Sequence, residues 1–93
     1  MKHYIIAKFT DKSLADSLLP DIRALFDRAG ASDGVAGVAV HGSCSDRENR
    51  FHVMIEMTLS AEGPALWDSS PVHREWKDRY GPLLAAKAIF DCE

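Results

Sequence analysis

Alternating hydrophobic and polar positions predict four strands. Residues 3–9 form the first, and a polar connection over residues 45–50 joins two β-branched runs, Val35–Ser43 and Phe51–Leu59, into a hairpin. Residues Ala86–Cys92 form the last. One face of the first strand is expected to carry His3, Ile5, Ala7 and Phe9.

A period of three to four residues predicts an amphipathic helix between the first two strands, from Ser13 to Gly30. Pro20 lies inside it and cannot donate a hydrogen bond to residue 16. We therefore expect a kink at Pro20. The alternative is a helix that starts near Asp16, with Pro20 close to its first turn.

A second helical region follows the hairpin. Ser60 is expected to cap a short helix through Trp67, interrupted near Gly63. Ser70 is expected to cap a helix over Pro71–Tyr80, because its hydroxyl accepts unpaired amide hydrogens and proline has none to leave unpaired.

The order strand, helix, strand, strand, helix, strand is that of the ferredoxin-like α+β fold, here a single domain over residues 1–93. In this fold two helices cover one face of a four-stranded antiparallel sheet. The other face is mixed but still carries more apolar area than a small monomer usually leaves in water, which predicts a homodimer that stacks the two sheets. Its apolar positions are Tyr4, Ile6, Met54, Ala88 and Phe90.

Composition narrows the possible functions. The chain has 93 residues, 46% of them hydrophobic, which suits one small domain. Its formal net charge is -3, and Lys and Arg are scattered, so we expect no nucleic-acid partner. No stretch approaches a membrane span or a signal peptide, so we expect no membrane partner and a cytoplasmic protein.

Cysteine and histidine spacing does not indicate a metal site. Cys44 and Cys92 form no CxxC motif, and we expect reduced thiols. The four histidines lack the i,i+4 spacing of a helical zinc site. We accordingly expect neither a metal nor a cofactor.

His73 is the strongest single candidate for catalysis. It falls in the first turn of the helix that Ser70 caps, where the positive helix end favours the neutral imidazole, which can accept a proton. The alternative is a partly buried histidine that bonds a backbone carbonyl.

His3 and Asp91 should lie close together if the first and last strands pair antiparallel. The Asp91 carboxylate would then orient an imidazole, either His3 or His73. The alternative is a salt bridge at the strand ends.

Aromatic residues indicate a pocket between helices and sheet that would take a small hydrophobic or aromatic molecule. Lys87 falls near the expected pocket mouth, or its side chain simply extends into solvent. Aromatics at helical spacing are also typical of plain core. The candidate lining residues are Trp67, Phe26, Trp76 and Tyr80, with Ile5 and Ile55 on the sheet.

Three stretches resemble the stress-responsive dimeric α+β barrel (Dabb) family: Lys2–Phe9, Trp67–His73 and Ile89–Asp91. The resemblance extends over nearly the whole chain. It implies a homodimer in which two ferredoxin-like sheets close into a barrel.

The family includes a plant polyketide cyclase that makes olivetolic acid and uses a Tyr and a His near the second helix. The histidine corresponds to His73, whereas Trp67 occupies the tyrosine position and Ser70 stands where a second histidine is common. An indole cannot act as a phenolic acid or base, which argues against the cyclase reaction.

Three functions remain open. The first is a dimeric barrel that binds a small hydrophobic or aromatic molecule, with or without proton transfer by His73. The second is a barrel without chemistry, in a stress-response or structural role. The third is similar to monooxygenases of the same fold, although the first strand lacks the Asn expected of the haem-degrading ones.

Overall fold

The computed structural model describes residues 1–93 and contains four strands, three helices and one 3₁₀ turn. In chain order these are β1 (Lys2–Phe9), α1 (Lys12–Ala29), β2 (Val35–Gly42), β3 (Val53–Leu59), α2 (Gly63–Asp68), α3 (Pro71–Tyr80), the 3₁₀ turn (Gly81–Leu83) and β4 (Leu84–Cys92).

The four strands form one antiparallel sheet in the order β2-β3-β1-β4. This confirms the ferredoxin-like α+β fold predicted from the alternation of strand and helix periods. In the register of β1, His3 lies between Met57 of β3 and Asp91 of β4. Strands β2 and β4 are the edges of the sheet.

Helix α1 begins after Asp11, whose side chain accepts a hydrogen bond from the Leu14 amide at 2.8 Å. An aspartate is a favoured cap because its oxygen satisfies an amide that has no partner in the first turn. The helix continues through Pro20. The alternative start near Asp16 is therefore wrong.

Ser70 caps α3 as predicted, and its hydroxyl accepts a hydrogen bond from the His73 amide at 3.1 Å. The predicted Ser60 cap of α2 is wrong, since α2 begins at Gly63 without a side-chain cap. The reason is a close approach of two backbones. A Cβ on Gly63 would lie 2.6 Å from the Gly34 carbonyl oxygen, so this packing fixes where α2 starts.

Strand β3 begins at Val53, two residues later than predicted. The side chain of Phe51 is exposed, while the His52 ring turns inward to accept the Phe9 amide hydrogen. This contact places His52 at the end of the sheet rather than in the regular alternation of β3.

The helices bury one face of β1 and β3. The resulting core contains fifteen hydrophobic residues, each at most 3% exposed: Ile5, Ala7, Phe9, Ala15, Ile22, Leu25, Phe26, Ala29, Val53, Ile55, Met57, Leu59, Trp67, Trp76 and Tyr80. Edge strand β4 is largely uncovered on both faces, with Ile89 50% and Phe90 58% exposed. None of the helices has the length and apolar character needed to cross a membrane.

Candidate functional site

A continuous series of ring contacts runs through the helical layer. Phe26 packs against Trp67 with ring centroids 5.7 Å apart and against Trp76 at 5.5 Å, and Trp76 contacts Tyr80 at 5.3 Å. Centroid separations of this size are those of favourable aromatic pairs. At the other end of the series, Trp67 contacts the ring of His73 at 4.8 Å.

His73 is partly buried in the first turn of α3. Its Nδ1 lies 3.2 Å from the backbone carbonyl oxygen of Asp68. Because a carbonyl only accepts, Nδ1 carries the hydrogen and Nε2 keeps its lone pair. The ring is thus held by one nitrogen and by the face of Trp67, and the other nitrogen is available to accept a proton.

His3 and Asp91 are brought together as predicted. They face each other across β1 and β4, with 2.5 Å between His3 Nδ1 and the Asp91 carboxylate oxygen. The His3 side chain is 15% exposed and that of Asp91 54%. Since the carboxylate accepts the hydrogen of Nδ1, the lone pair of His3 is on Nε2. Of the two histidines considered for Asp91, the structure pairs it with His3.

Topology places both histidines at the same end of the sheet. His3 is the second residue of β1, and α3 starts on the side toward the end of the sheet where β4 finishes, because α3 and β4 are joined at the opposite end. Ile89 shares the helix-side face with Asp91 and pairs with Ile5. Its exposed side chain gives this end of the sheet an apolar surface beside the His3–Asp91 pair.

The six predicted ligand-lining side chains all lie in the core. Phe26, Ile55, Trp76, Ile5, Tyr80 and Trp67 are at most 3% exposed. The main clefts of the surface are lined by other residues. Ligand contact therefore remains a prediction for these six. Trp67 is the one whose ring contacts a candidate catalytic side chain, and Lys87 is exposed on β4.

The sequence did not single out His52, although it is buried and bonded. It is 8% exposed, its Nδ1 accepts the Phe9 amide hydrogen at 3.0 Å, and it borders a polar cleft at the far end of the sheet from His3. The alternation along β3 placed His52 on the face of the strand that carries both polar and apolar residues. A local signal for the contact with Phe9 does not exist, since the two residues are 43 positions apart.

Two cysteines are free, with Cys44 exposed and Cys92 partly buried. The prediction that both are reduced agrees with their positions after β2 and at the end of β4, the two opposite edges of the sheet. The structure contains no group of three or more His, Cys, Asp or Glu side chains arranged to hold a metal ion.

Comparison with known proteins places the fold. No protein-family model matches the chain, and no curated protein matches its sequence. Solved structures do match. A dimeric ferredoxin-like protein of unknown function from Bacteroides fragilis superimposes with a TM-score of 0.82 at 11% identity, covering 99% of this chain and 93% of that one.

Two further structures share the fold. A Dabb family protein from Mesorhizobium loti has a TM-score of 0.74 at 18% identity and covers 99% of this chain and 93% of its own. A hydroxynitrile lyase from Passiflora edulis has a TM-score of 0.68 at 14% identity, and the match covers 96% of this chain and 87% of the lyase chain. The resemblance to the Dabb family seen in the sequence is confirmed at the level of the fold.

Proposed function

We propose that the chain forms a homodimer that binds a small hydrophobic or aromatic molecule and transfers a proton on it. The His3–Asp91 pair is the observation that carries the proposal. A carboxylate 2.5 Å from an imidazole nitrogen fixes the tautomer and the ring orientation, as general acid–base catalysis requires. If His3 and Asp91 formed only a salt bridge at the strand ends, nothing would require a second histidine, His73, toward the same end of the sheet.

The two histidines have equivalent hydrogen-bonding states. In each, Nδ1 bonds an acceptor and Nε2 is left with its lone pair. One neutral imidazole would remove a proton from the bound molecule, while the other, already protonated from solvent, would donate a proton elsewhere on it. Proton exchange with water would then restore both rings. His73 has a backbone carbonyl as its acceptor and His3 has a carboxylate, so we assign the base to His3.

The apolar side chains at this end of the sheet indicate which class of ligand would bind. Ile89 is half exposed on the face that carries Asp91, and Trp67 contacts His73. A flat or branched apolar molecule would cover the exposed part of Ile89. The Passiflora edulis protein is named a hydroxynitrile lyase, which supports the view that this fold accommodates chemistry on small molecules.

Homodimer formation is proposed from the open sheet face. The face opposite the helices carries Tyr4, Ile6 and Met54, all only partly covered, next to the exposed Phe90. A domain of this size rarely leaves such a surface in water. Fold neighbours described as dimeric support this assembly. Light scattering at micromolar concentration should give about twice the 10.3 kDa chain mass, and a monomer would rule it out.

The proton-transfer proposal is tested by a thermal-shift screen of small aromatic and aliphatic acids, ketones and cyanohydrins, followed by activity assays on each molecule that binds. In the presence of a turned-over molecule, His3→Gln and Asp91→Asn should each lower kcat by about 10² or more, because general acid–base groups contribute that much. His73→Gln should lower kcat while leaving the melting temperature within a few degrees.

His41→Gln is the matched control. His41 is an exposed histidine on β2 that faces Glu56 at 3.7 Å on the open face of the sheet. Its replacement should leave kcat unchanged. Full activity in both His3→Gln and His73→Gln would end the catalytic interpretation.

A barrel without chemistry is the second candidate, favoured by the packing of the helical layer. The aromatic series fills the space where a ligand pocket was predicted, and its members bury each other. A screen in which no small molecule raises the melting temperature would favour this candidate.

A further inference from the structure

Strand β4 is the least covered strand of the fold. Every residue from Ala85 to Asp91 is exposed, so the strand lacks cover on both faces of the sheet. It is also an edge, with β1 on one side and no strand on the other. An edge strand of nine residues presents a row of unpaired backbone amides and carbonyls, which is a template for the addition of another strand.

The other edge of the sheet, β2, is better protected. Most of its residues are partly buried, and helix α1 packs against it. From that helix Arg23 donates a hydrogen bond to the backbone carbonyl of Val40 at 3.5 Å. A further strand is therefore expected at β4 rather than at β2.

The sequence of β4 is complementary to itself when two copies run antiparallel. If Ile89 lies opposite the partner's Ile89, then Lys87 lies opposite the partner's Asp91, and Ala88 lies opposite the partner's Phe90. Side chains directly opposite each other in an antiparallel pair share one face of the sheet, with Cβ atoms about 4.5 to 5.5 Å apart. Each lysine thus meets a carboxylate, and each large ring meets a methyl group.

Other pairings lose this match. A shift of the register by two residues in one direction places Lys87 opposite the partner's Ile89, and a shift in the other direction places Asp91 there. Pairing of β4 with β2 leaves Lys87 without a carboxylate, because β2 contains no Asp or Glu. Charge complementarity therefore selects a second copy of β4 and one register.

Both charged groups are available for this contact. Lys87 is exposed and forms no ion pair within the chain. Asp91 bonds His3 through one carboxylate oxygen, and its side chain is 54% exposed. The second oxygen is therefore free to accept a lysine ammonium. A lone lysine on an edge strand normally discourages pairing between chains, but here an opposing carboxylate removes that obstacle.

We propose that two copies of the chain pair through their β4 strands, antiparallel about Ile89, so that the four strands of each form one continuous sheet. Lys87 of the partner subunit then joins the His3–Asp91 pair. The two Ile89 side chains meet across the edge, while the part of each on the β1 side stays open to a ligand.

This contact goes beyond the open-face homodimer, since it uses an edge of the sheet rather than a face, and it requires no proton transfer at His3. It therefore joins homodimers to one another. Exposed ion pairs each contribute little, so the contact is weak and should form at concentrations well above those that support the homodimer.

A zero-length carbodiimide cross-link tests the contact in the unmodified chain. Equal amounts of unlabelled and ¹⁵N-labelled protein are mixed, cross-linked at high concentration and digested for mass spectrometry. Lys87 should link to Asp91 in peptides of mixed isotope, which form only between chains. The internal control is Lys2 with Glu56, which lie 3.3 Å apart and should link within one chain.

Charge reversal tests the register. Lys87→Glu places two carboxylates opposite each other at both ends of the contact, and sedimentation velocity should show at least about a tenfold rise in the dissociation constant for association beyond the homodimer. Combining Lys87→Glu with Asp91→Lys restores opposite charges and should recover association. Lys77→Glu is the matched control, because Lys77 is an exposed lysine on α3 and the change in net charge is the same. Circular dichroism would confirm that each variant is folded.

The outcomes separate this proposal from the homodimer. If the open face did not associate, the same mixed-isotope cross-link would appear in a species of two chains and would still support pairing through β4. Formation of the control link without any link between Lys87 and Asp91 would overturn the proposal. Links from Lys87 to other carboxylates in its place, or equal dissociation constants for Lys87→Glu and Lys77→Glu, would also overturn it.

Discussion

The two faces of the central sheet differ in how they are covered, although both carry apolar side chains. On the helix side, Ile5, Ile55 and Met57 are at most 2% exposed. On the other side, Ile6 and Met54 from the same strands stay partly exposed. Alternation along β1 and β3 has thus produced one hydrophobic face and one mixed face that still carries apolar side chains, while the chain supplies helices for only the first.

Several polar groups of the open face form one cluster. Glu56 is 3.3 Å from the Lys2 ammonium and 3.7 Å from His41, and Lys2 also donates to the Thr58 hydroxyl at 2.8 Å. Tyr4 and Phe90 adjoin this cluster with ring centroids 6.3 Å apart. An apolar area beside paired charges has the composition of a protein interface. The helix-covered face forms the hydrophobic core, and the open face has the composition of one side of an interface.

Among the substitutions that test the difference between the two faces, Phe90→Asp should have the largest effect. In the proposed homodimer it places an unpaired carboxylate between two apolar surfaces, at a cost of several kcal/mol. We expect the dimer to dissociate, which light scattering would show as a fall to the 10.3 kDa chain mass.

Ile89→Asp provides the control, because Ile89 is the neighbouring residue, has similar exposure and lies on the helix-side face. This variant should remain dimeric. Dissociation of both variants, or of neither, would show that the open face is not the interface.

Trp76→Ala should cause the next largest loss of stability. It removes a side chain from the helix-covered face. Trp76 is 1% exposed and contacts both Phe26 and Tyr80. Removing a buried aromatic ring typically lowers the free energy of unfolding by about 3 to 5 kcal/mol. Urea titration followed by circular dichroism would measure it. Phe51→Ala, at a side chain that is 37% exposed, should cost far less.

Gly63→Ala should destabilise the covered side by about 1 to 3 kcal/mol, the usual cost of overpacking. The new methyl group would lie 2.6 Å from the Gly34 carbonyl oxygen and 2.7 Å from Leu59 Cβ. Gly81→Ala is the matched control, because a Cβ there meets nothing within 4 Å. Equal melting temperatures for the two variants would show that the approach of α2 to Gly34 and Leu59 is not tight.

The fold was predictable because it depends on periodicity. A period of two in the strands and of three to four in the helices, in that order, leaves few topologies. Antiparallel pairing of β1 with β4 then placed His3 beside Asp91, and Ser70 before Pro71 marked the start of α3. These features follow from local sequence and strand order.

The rest depends on contacts that no local pattern encodes. Helical spacing of Phe26, Trp76 and Tyr80 is the same whether the rings fill a core or border a cavity, and only their mutual packing distinguishes the two. The start of α2 depends on the approach of Gly63 to Gly34. His52 was missed because its bond to the Phe9 amide joins two strand ends that are remote in sequence.

Tyr80→Phe should have the smallest effect, and its sign should be opposite. The Tyr80 hydroxyl is buried and has no hydrogen-bond partner. Removing an unsatisfied buried polar group is stabilising, and we expect a gain of about 1 kcal/mol in the free energy of unfolding at neutral pH. Tyr4→Phe, at a partly exposed tyrosine on the open face, should change stability little.

The pH dependence of the same variant sharpens the contrast between the faces. Burial raises the pKa of the Tyr80 phenol above its ordinary value near 10, so the folded state holds this proton more tightly than the unfolded state. The stabilisation that comes from holding the phenol proton is therefore fully present below the ordinary pKa near 10. It is lost as the pH rises through the pKa of the folded state. Thermal melts from pH 8 to 11 should show a steeper alkaline decline for the wild type than for Tyr80→Phe. Parallel declines would mean that the Tyr80 hydroxyl reaches solvent and that this part of the covered face is not closed.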